Sequence, residues 1–251
     1  MARQKGILEI TGTMGNLTFY KSQDGMMVKE KSEISKEKIM TDPSFQRTRE
    51  NMQEFANAGK GGKMLMDRIR TFMIPASDNR VSSRLAQAMR KVLNEDRTSK
   101  RGERSVALGI KTDAGKNVLR HFNFNKNSVL GSVLFRPIAL DTTTGEIGIS
   151  NVTPVNNIVG PTGATHVSLS CVFATIEFTT GRSWAEYSEV VELPLDATTS
   201  EIRLIPDEVP TLTPDTTSFY FIKLEFYQEV NGAKYMLNND SYNCMELIEV
   251  Q

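Results

Sequence analysis

The sequence predicts an α+β protein with an N-terminal β meander, a short helical middle and a C-terminal antiparallel β-sandwich. Two changes of hydrophobic period carry this reading. Apolar residues alternate at a period of two near the start, recur at helical spacing from Asp42 to about Asn94, and return to a period of two from Val133 onward. The placement of Gly, Asn and Asp between the period-two runs is the third observation, because these residues supply hairpin turns. The boundaries that follow are 1–31 for the meander, 32–125 for a basic helical region and 126–251 for an acidic β domain.

In the meander, Leu8 and Ile10 alternate with Glu9 and Thr11, and Leu17 and Phe19 alternate with Thr18 and Tyr20. Turns are expected at Gly12-Thr13-Met14-Gly15-Asn16 and at Gln23-Asp24-Gly25, with a third strand from Met26 to Lys31. Isolated hairpins are marginal in water, so this piece must pack on its own chain or on a neighbour.

A charged connector, Ser32 to Thr41, leads to the helices. Asp42-Pro43 reads as an N-cap followed by proline in the first turn, with Phe45, Met52, Phe55 and Ala56 at helical spacing behind it. The stretch Ala58 to Lys63 holds three glycines, each costing about 1 kcal/mol relative to alanine in a helix, and a break is expected there. A second helix is expected over Met64 to Met73, ending before Pro75. A third follows Asp78 or Asn79, with Val81, Leu85, Met89, Val92 and Leu93 as its apolar stripe. Asn94 to Thr112 is polar and reads mostly as loop.

Beyond it, Val133 to Leu140 and Ile147 to Val152 should form a hairpin around Asp141–Glu146. His166 to Phe178 reads as a central strand, apolar on both faces from Cys171 to Ile176. Tyr220, Ile222, Leu224 and Phe226 alternate with Lys223 and Glu225. Asn231-Gly232 turns the chain into Lys234 to Leu237, and Cys244 to Val250 closes it. Seven or eight such strands with Pro-, Gly- and Thr-rich connections argue for the sandwich. The segment Thr153 to Thr165 is long enough for a surface feature or contact arm.

Composition is that of a globular protein: 251 residues, 39% apolar and 24% charged. No apolar run reaches the roughly 18 residues that a membrane span needs, so no membrane insertion is expected. Ile7-Leu8 is followed at once by Glu9, which leaves no secretory apolar region and implies cytoplasmic synthesis. Two cysteines, Cys171 and Cys244, are too few for a disulfide framework and are expected as reduced, inert thiols. The zero net charge hides an asymmetry. Through Arg120 the chain has 24 Lys and Arg against 14 Asp and Glu, and from His121 onward 6 against 16.

Chemistry is sparse. His121 and His166 sit in no ligand-spaced motif. Gly62-Lys63 is followed by Met64 and preceded by a helix, so a phosphate-binding loop is excluded. No catalytic, cofactor-binding or metal-binding residue is assigned, no small-molecule substrate is evident, and an enzyme is not expected. Arg80, Arg84, Arg97, Lys100, Arg101 and Arg104 form a basic segment that could contact an anionic partner such as nucleic acid. It has no interleaved aromatics for base stacking and no recognised nucleic-acid-binding motif.

The N-terminal quarter resembles an uncharacterised family of bacterial and prophage proteins. The residues that carry this are Ala2-Arg3-Gln4-Lys5-Gly6-Ile7, Gly12 to Lys21, Asp24-Gly25, Lys29-Glu30-Lys31, and Asp42 to Asn51 with Glu54-Phe55, within residues 1 to 75. The resemblance implies no catalytic residue and favours a structural protein of a phage-like particle or filament. A meander that cannot stand alone has the layout of an exchange arm, with Leu8, Ile10, Leu17, Phe19 and Tyr20 as its subunit contacts. The expected function is therefore self-assembly with copies of the same chain, and the alternative is non-sequence-specific nucleic-acid binding through the basic region.

Overall fold

The computed structural model describes residues 2–4, 9–31, 34–210, 212–237 and 242–251. In chain order the elements are β1 (Ala2–Arg3), β2 (Gly12–Met14), β3 (Leu17–Ser22), β4 (Gly25–Glu30), α1 (Lys36–Thr41), α2 (Gln46–Arg68), α3 (Arg70–Met73), α4 (Val81–Asn94), α5 (Val106–Gly109) and α6 (Asp113–Leu119). They continue with β5 (Phe122–Asn123), α7 (Leu130–Val133), β6 (Ala139–Leu140), β7 (Ile147–Val152), α8 (Pro154–Asn157), β8 (His166–Ile176), β9 (Ser183–Tyr187), β10 (Val191–Pro194), β11 (Ser200–Leu204), β12 (Thr217–Val230), β13 (Ala233–Met236) and β14 (Cys244–Val250). The chain divides into two units, Met1–Asn51 and Met52–Gln251. The helical and β-rich regions together make the expected α+β protein.

The first unit holds an antiparallel sheet of order β1-β4-β3-β2. Gly25 takes φ 106° after the Asp24 turn, a conformation that glycine adopts without a Cβ penalty. The Ser22 hydroxyl accepts from the Asp24 N–H and donates to the Gly25 carbonyl. The first expected turn is smaller than the sequence suggests, because Gly12–Met14 is itself strand and the chain reverses at Gly15-Asn16. Ile10 lies outside the strands, and Leu8 lies outside the described residues. Within the charged connector, Ser35 caps α1 by accepting from the Lys38 N–H. Asp42 accepts from the Ser44 N–H at 2.9 Å and opens the turn that leads into α2.

The glycine stretch does not break the helix: α2 continues through it to Arg68. A Cβ on Gly61 would lie 3.1 Å from Val106, and one on Gly62 would lie 3.6 Å from Leu85 and Met89. The bare backbone lets α4 and α5 approach α2 closely. The buried contact outweighs the local propensity loss.

The second unit is built on a seven-stranded antiparallel sheet with the path β10-β8-β12-β14-β5, where β9 also pairs β8 and β13 also pairs β12. Strands β8 and β12 run in register from His166↔Tyr227 to Ile176↔Thr217. Successive side chains point to opposite faces. Val172, Ala174, Phe219, Phe221 and Leu247 join Leu65, Phe72, Leu85, Met89 and Leu93 in one cluster beneath the helices. Leu169, Cys171, Ile222 and Leu224 join Ile147, Ile149, Ile202 and Leu204 in the other, beneath a small sheet of order β11-β7-β6. Two antiparallel sheets thus face one another, and helices close the second face of the larger one. The change of surface charge near residue 120 is not a packing boundary, since helices from Met52 onward share a core with the β half.

The structure alters several expectations. Lys223 and Glu225, spaced like a solvent face, are buried; they pair at 2.7 Å, with Lys223 Nζ 4.5 Å from the Phe72 ring centroid. The strand expected over Val133 to Leu140 shortens to Ala139–Leu140, and the chain before it forms α7 and carries Pro137, which has no ladder donor. Thr153 to Thr165 is pinned, not extended: Phe135 N–H donates to Asn157 and Val159 N–H to Val133. Asn94 to Thr112 is mostly loop, as expected, with α5 a single turn inside it and α6 beginning just beyond. Cys171 on β8 lies opposite Ile222 and Cys244 on β14 opposite Leu224, on either side of β12, about 12 Å apart by strand spacing and rise, too far for a disulfide. Burial pushes their thiols up to about 11 and about 12.

Two measurements follow from this packing. Gly109→Ala places a Cβ 2.0 Å from the Val92 carbonyl oxygen and should lower unfolding stability by about 3 kcal/mol or more. Gly59→Ala meets nothing within 4 Å and should raise it by up to about 1 kcal/mol. Denaturant unfolding of both variants compares them. Both cysteines should react with a thiol reagent far more slowly in native protein than in urea; rapid native labelling would contradict their burial.

Candidate assembly and anion-contact surfaces

Among the described residues of 1–51 none is buried. Strand register nevertheless sorts the side chains. Met14 lies opposite Leu17, and Phe19 lies opposite Val28 and Gly12, so Met14, Leu17, Phe19 and Val28 share one face with Met26, Lys21 and Glu30. Tyr20, Met27 and Thr18 share the other, where Lys29 Nζ sits 5.5 Å from the Tyr20 ring centroid. Met14 is 68% exposed and Leu17 45%. Of the expected contact residues, Leu17 and Phe19 are therefore together, Tyr20 points to the opposite face, and Ile10 is exposed ahead of β2. Met14 and Val28 were missed. Met14 reads as a turn residue in sequence, although its spacing from Leu17 is that of a tight hairpin.

The basic segment divides in two. Arg84 donates to the Asp78 carboxylate at 2.5 Å and to the Asn123 and Phe124 carbonyls at 2.8 Å each. Asp78 also accepts from the Arg80 and Lys126 N–H groups. Arg84 is thus an internal tie between α4 and β5. Arg104 lies 3.8 Å from Glu54, whose carboxylate accepts from the Gly102 N–H at 2.8 Å. Arg97 pairs with Glu95 at 3.2 Å on the surface, and Arg80, Lys100 and Arg101 are exposed. Asp96 holds this basic turn from inside. It is 2% exposed and accepts from the N–H groups of Thr98, Ser99 and Ser105 and from the Thr98 hydroxyl. Burial is the largest influence on its carboxyl and acts upward. The hydrogen bonds from Ser99, Ser105 and Thr98 outweigh it together and hold the pKa at about 2.

Acidic residues gather elsewhere on the second unit. Ser188 bridges Pro206 and the Asp207 N–H donates to Tyr187, which sets Glu186 and Glu189 beside Asp207 and Glu208. Exposed Val190, Ile205 and Val209 lie along the same two segments. Among the described residues no three His, Cys, Asp or Glu side chains are grouped to hold a metal ion, and no helix is long and apolar enough to cross a membrane.

No protein-family model, curated protein or solved structure matches the chain.

The Asp96 geometry fixes a pH dependence. A carboxyl whose pKa falls on folding stabilises the fold above its unfolded value, and that contribution disappears as pH drops toward the folded value. Between about pH 4 and pH 2 wild-type protein should lose on the order of 2 kcal/mol more than Asp96→Asn does. Urea unfolding across that window measures the difference, and parallel pH profiles would contradict the assignment.

Proposed function

We propose that the chain is a non-enzymatic structural protein that assembles with copies of itself, the N-terminal sheet of one copy packing against another. The observation that carries this reading is a four-stranded sheet with no buried residue among those described, whose one face carries Met14, Leu17, Phe19, Met26 and Val28 beside Lys21 and Glu30. A small sheet gains stability only when its apolar side is covered. Contiguous exposed apolar surface on a polar chain marks contact sites. Pairing through strand edges would add main-chain hydrogen bonds and fix register.

The charge layout supports a head-to-tail arrangement. Arg97, Lys100 and Arg101 project from one ordered turn, and Glu189, Asp207 and Glu208 lie exposed together elsewhere. Exposed ion pairs contribute only about 0–1 kcal/mol each, so they set orientation while apolar contact supplies affinity. Head-to-tail contacts that do not close into rings propagate as filaments, in keeping with the phage-like resemblance of the N-terminal quarter.

Removing residues 1–31 should convert the oligomer into a folded monomer on size-exclusion chromatography with light scattering; an unchanged oligomer would refute the role of the sheet. The nucleic-acid reading has its own signature. Duplex DNA would bind irrespective of sequence, with affinity falling steeply as salt rises. Replacing Arg97, Lys100 and Arg101 by Glu should loosen the oligomer gradually. Unchanged assembly together with lost DNA binding would favour the alternative.

A further inference from the structure

Three features of the second unit meet at one cleft. The register of β14 with β12 passes from Phe221↔Leu247 to Tyr220↔Glu249, so Ile248 is an extra residue, a β-bulge. Without it Glu246 and Glu249 would point to opposite faces. With it both lie on the side of the small sheet, flanking Ile248. Bulges re-aim side chains in this way and are enriched beside binding sites. His121, immediately before β5, holds φ 61°, which is rare for a residue with a Cβ. Its N–H donates to the Leu247 carbonyl at 2.7 Å, and its Nδ1 is 2.8 Å from Glu246 Oε1. Glu246 is buried while the imidazole it holds is exposed.

These groups line a cleft of about 580 Å³ with an apolar floor of Leu134, Ile138, Leu140 and Ile248. Its carboxylates are engaged from within: Glu249 accepts from Arg120 Nε at 2.5 Å and from the Val250 N–H, and Glu246 is held by His121. An ionised carboxylate only accepts, so Nδ1 of His121 carries the proton that faces Glu246, and in the neutral imidazole Nε2 is then the acceptor. Arg136, on the rim, directs Nε and one Nη at the Ser150 carbonyl and has no carboxylate within ion-pair distance among the described residues. The unspent capacity is one guanidinium edge, one imidazole acceptor and the apolar floor between them.

We infer that this cleft binds a small organic carboxylate that carries an apolar body and a hydroxyl group. The carboxylate pairs with Arg136, the hydrocarbon lies on Leu134, Ile138, Leu140 and Ile248, and the hydroxyl donates to His121 Nε2. Clefts with a few convergent polar groups over apolar walls are the ordinary form of small-molecule sites. The inference stands on this cleft alone and is independent of assembly.

The probe is 4-hydroxyphenylacetate, added to the full-length protein. Imidazole NMR resonances locate the ligand, with His121 assigned against a His166→Gln variant, and calorimetry measures affinity. The expected result is a saturable shift of the His121 ring. Arg136→Met should weaken binding at least about tenfold, the effect of losing a charge-assisted hydrogen bond, and Arg182→Met, outside the cleft, should leave it unchanged. In His121→Asn, whose side chain tolerates the left-handed backbone, phenylacetate and 4-hydroxyphenylacetate should bind equally, so the assignment stays testable if Arg136→Met fails to fold. Binding of 4-hydroxyphenethylamine in place of the acid would overturn the inference by making the carboxylates the determinant. So would an unmoved His121 ring up to millimolar acid, or equal binding by folded Arg136→Met.

Discussion

Strands β8 and β12 pair over eleven registered positions, and nearly every side chain along that pairing is buried. Because side chains alternate between faces, a slip of one residue would exchange the helix-facing set for the set beneath the small sheet. The two sets are not interchangeable. Lys223 and Glu225 lie opposite Ser170 and Ser168 on the helix side, where Phe72 covers the ammonium group. A slipped register would carry the charged pair away from Ser168, Ser170 and Phe72 into the wholly apolar layer of Ile147, Ile149, Ile202 and Leu204, where burying even a paired charge is expensive. The buried pair thus specifies the register on which the helix layer, the small sheet and the β14 edge all depend.

Elements whose signal is local were legible in the sequence. The central strand beginning at His166, β14 and the α4 stripe were each set by their own residues, and Asn231-Gly232 adopts φ values of 53° and 77°, as its hairpin requires. Elements decided by distant partners were not legible. The glycines of α2 carry a propensity penalty visible in sequence, while the compensating contacts with Leu85 and Val106 come from remote segments. Strands β9, β10 and β11 are edge strands of four or five residues, and the alternation in Val191-Glu192-Leu193 and Ile202-Arg203-Leu204 is too brief to mark a strand by itself.

The same distinction governs the surfaces. A count of cations enrols Arg84 and Arg104 with their neighbours, but Asp78 and Glu54 claim them inside the fold. Charge lists cannot separate a tie from a contact. The cleft beside β14 depends on a bulge and on a positive φ at His121, neither of which has a sequence signature when the residues are Ile and His.

The two units answer the same physical demand differently. Residues 52–251 bury their apolar surface in two clusters of their own, whereas the first unit has a patterned sheet and no buried side chain among those described. On this account the N-terminal sheet gains its stability by association. Amide hydrogen exchange across a range of protein concentrations tests this most directly. The β3 and β4 amides should exchange rapidly in dilute protein and slow as concentration rises, while β8 and β12 stay the slowest throughout. Protection of β3 and β4 that equals β8 in dilute monomer, or that does not change with concentration, would contradict it.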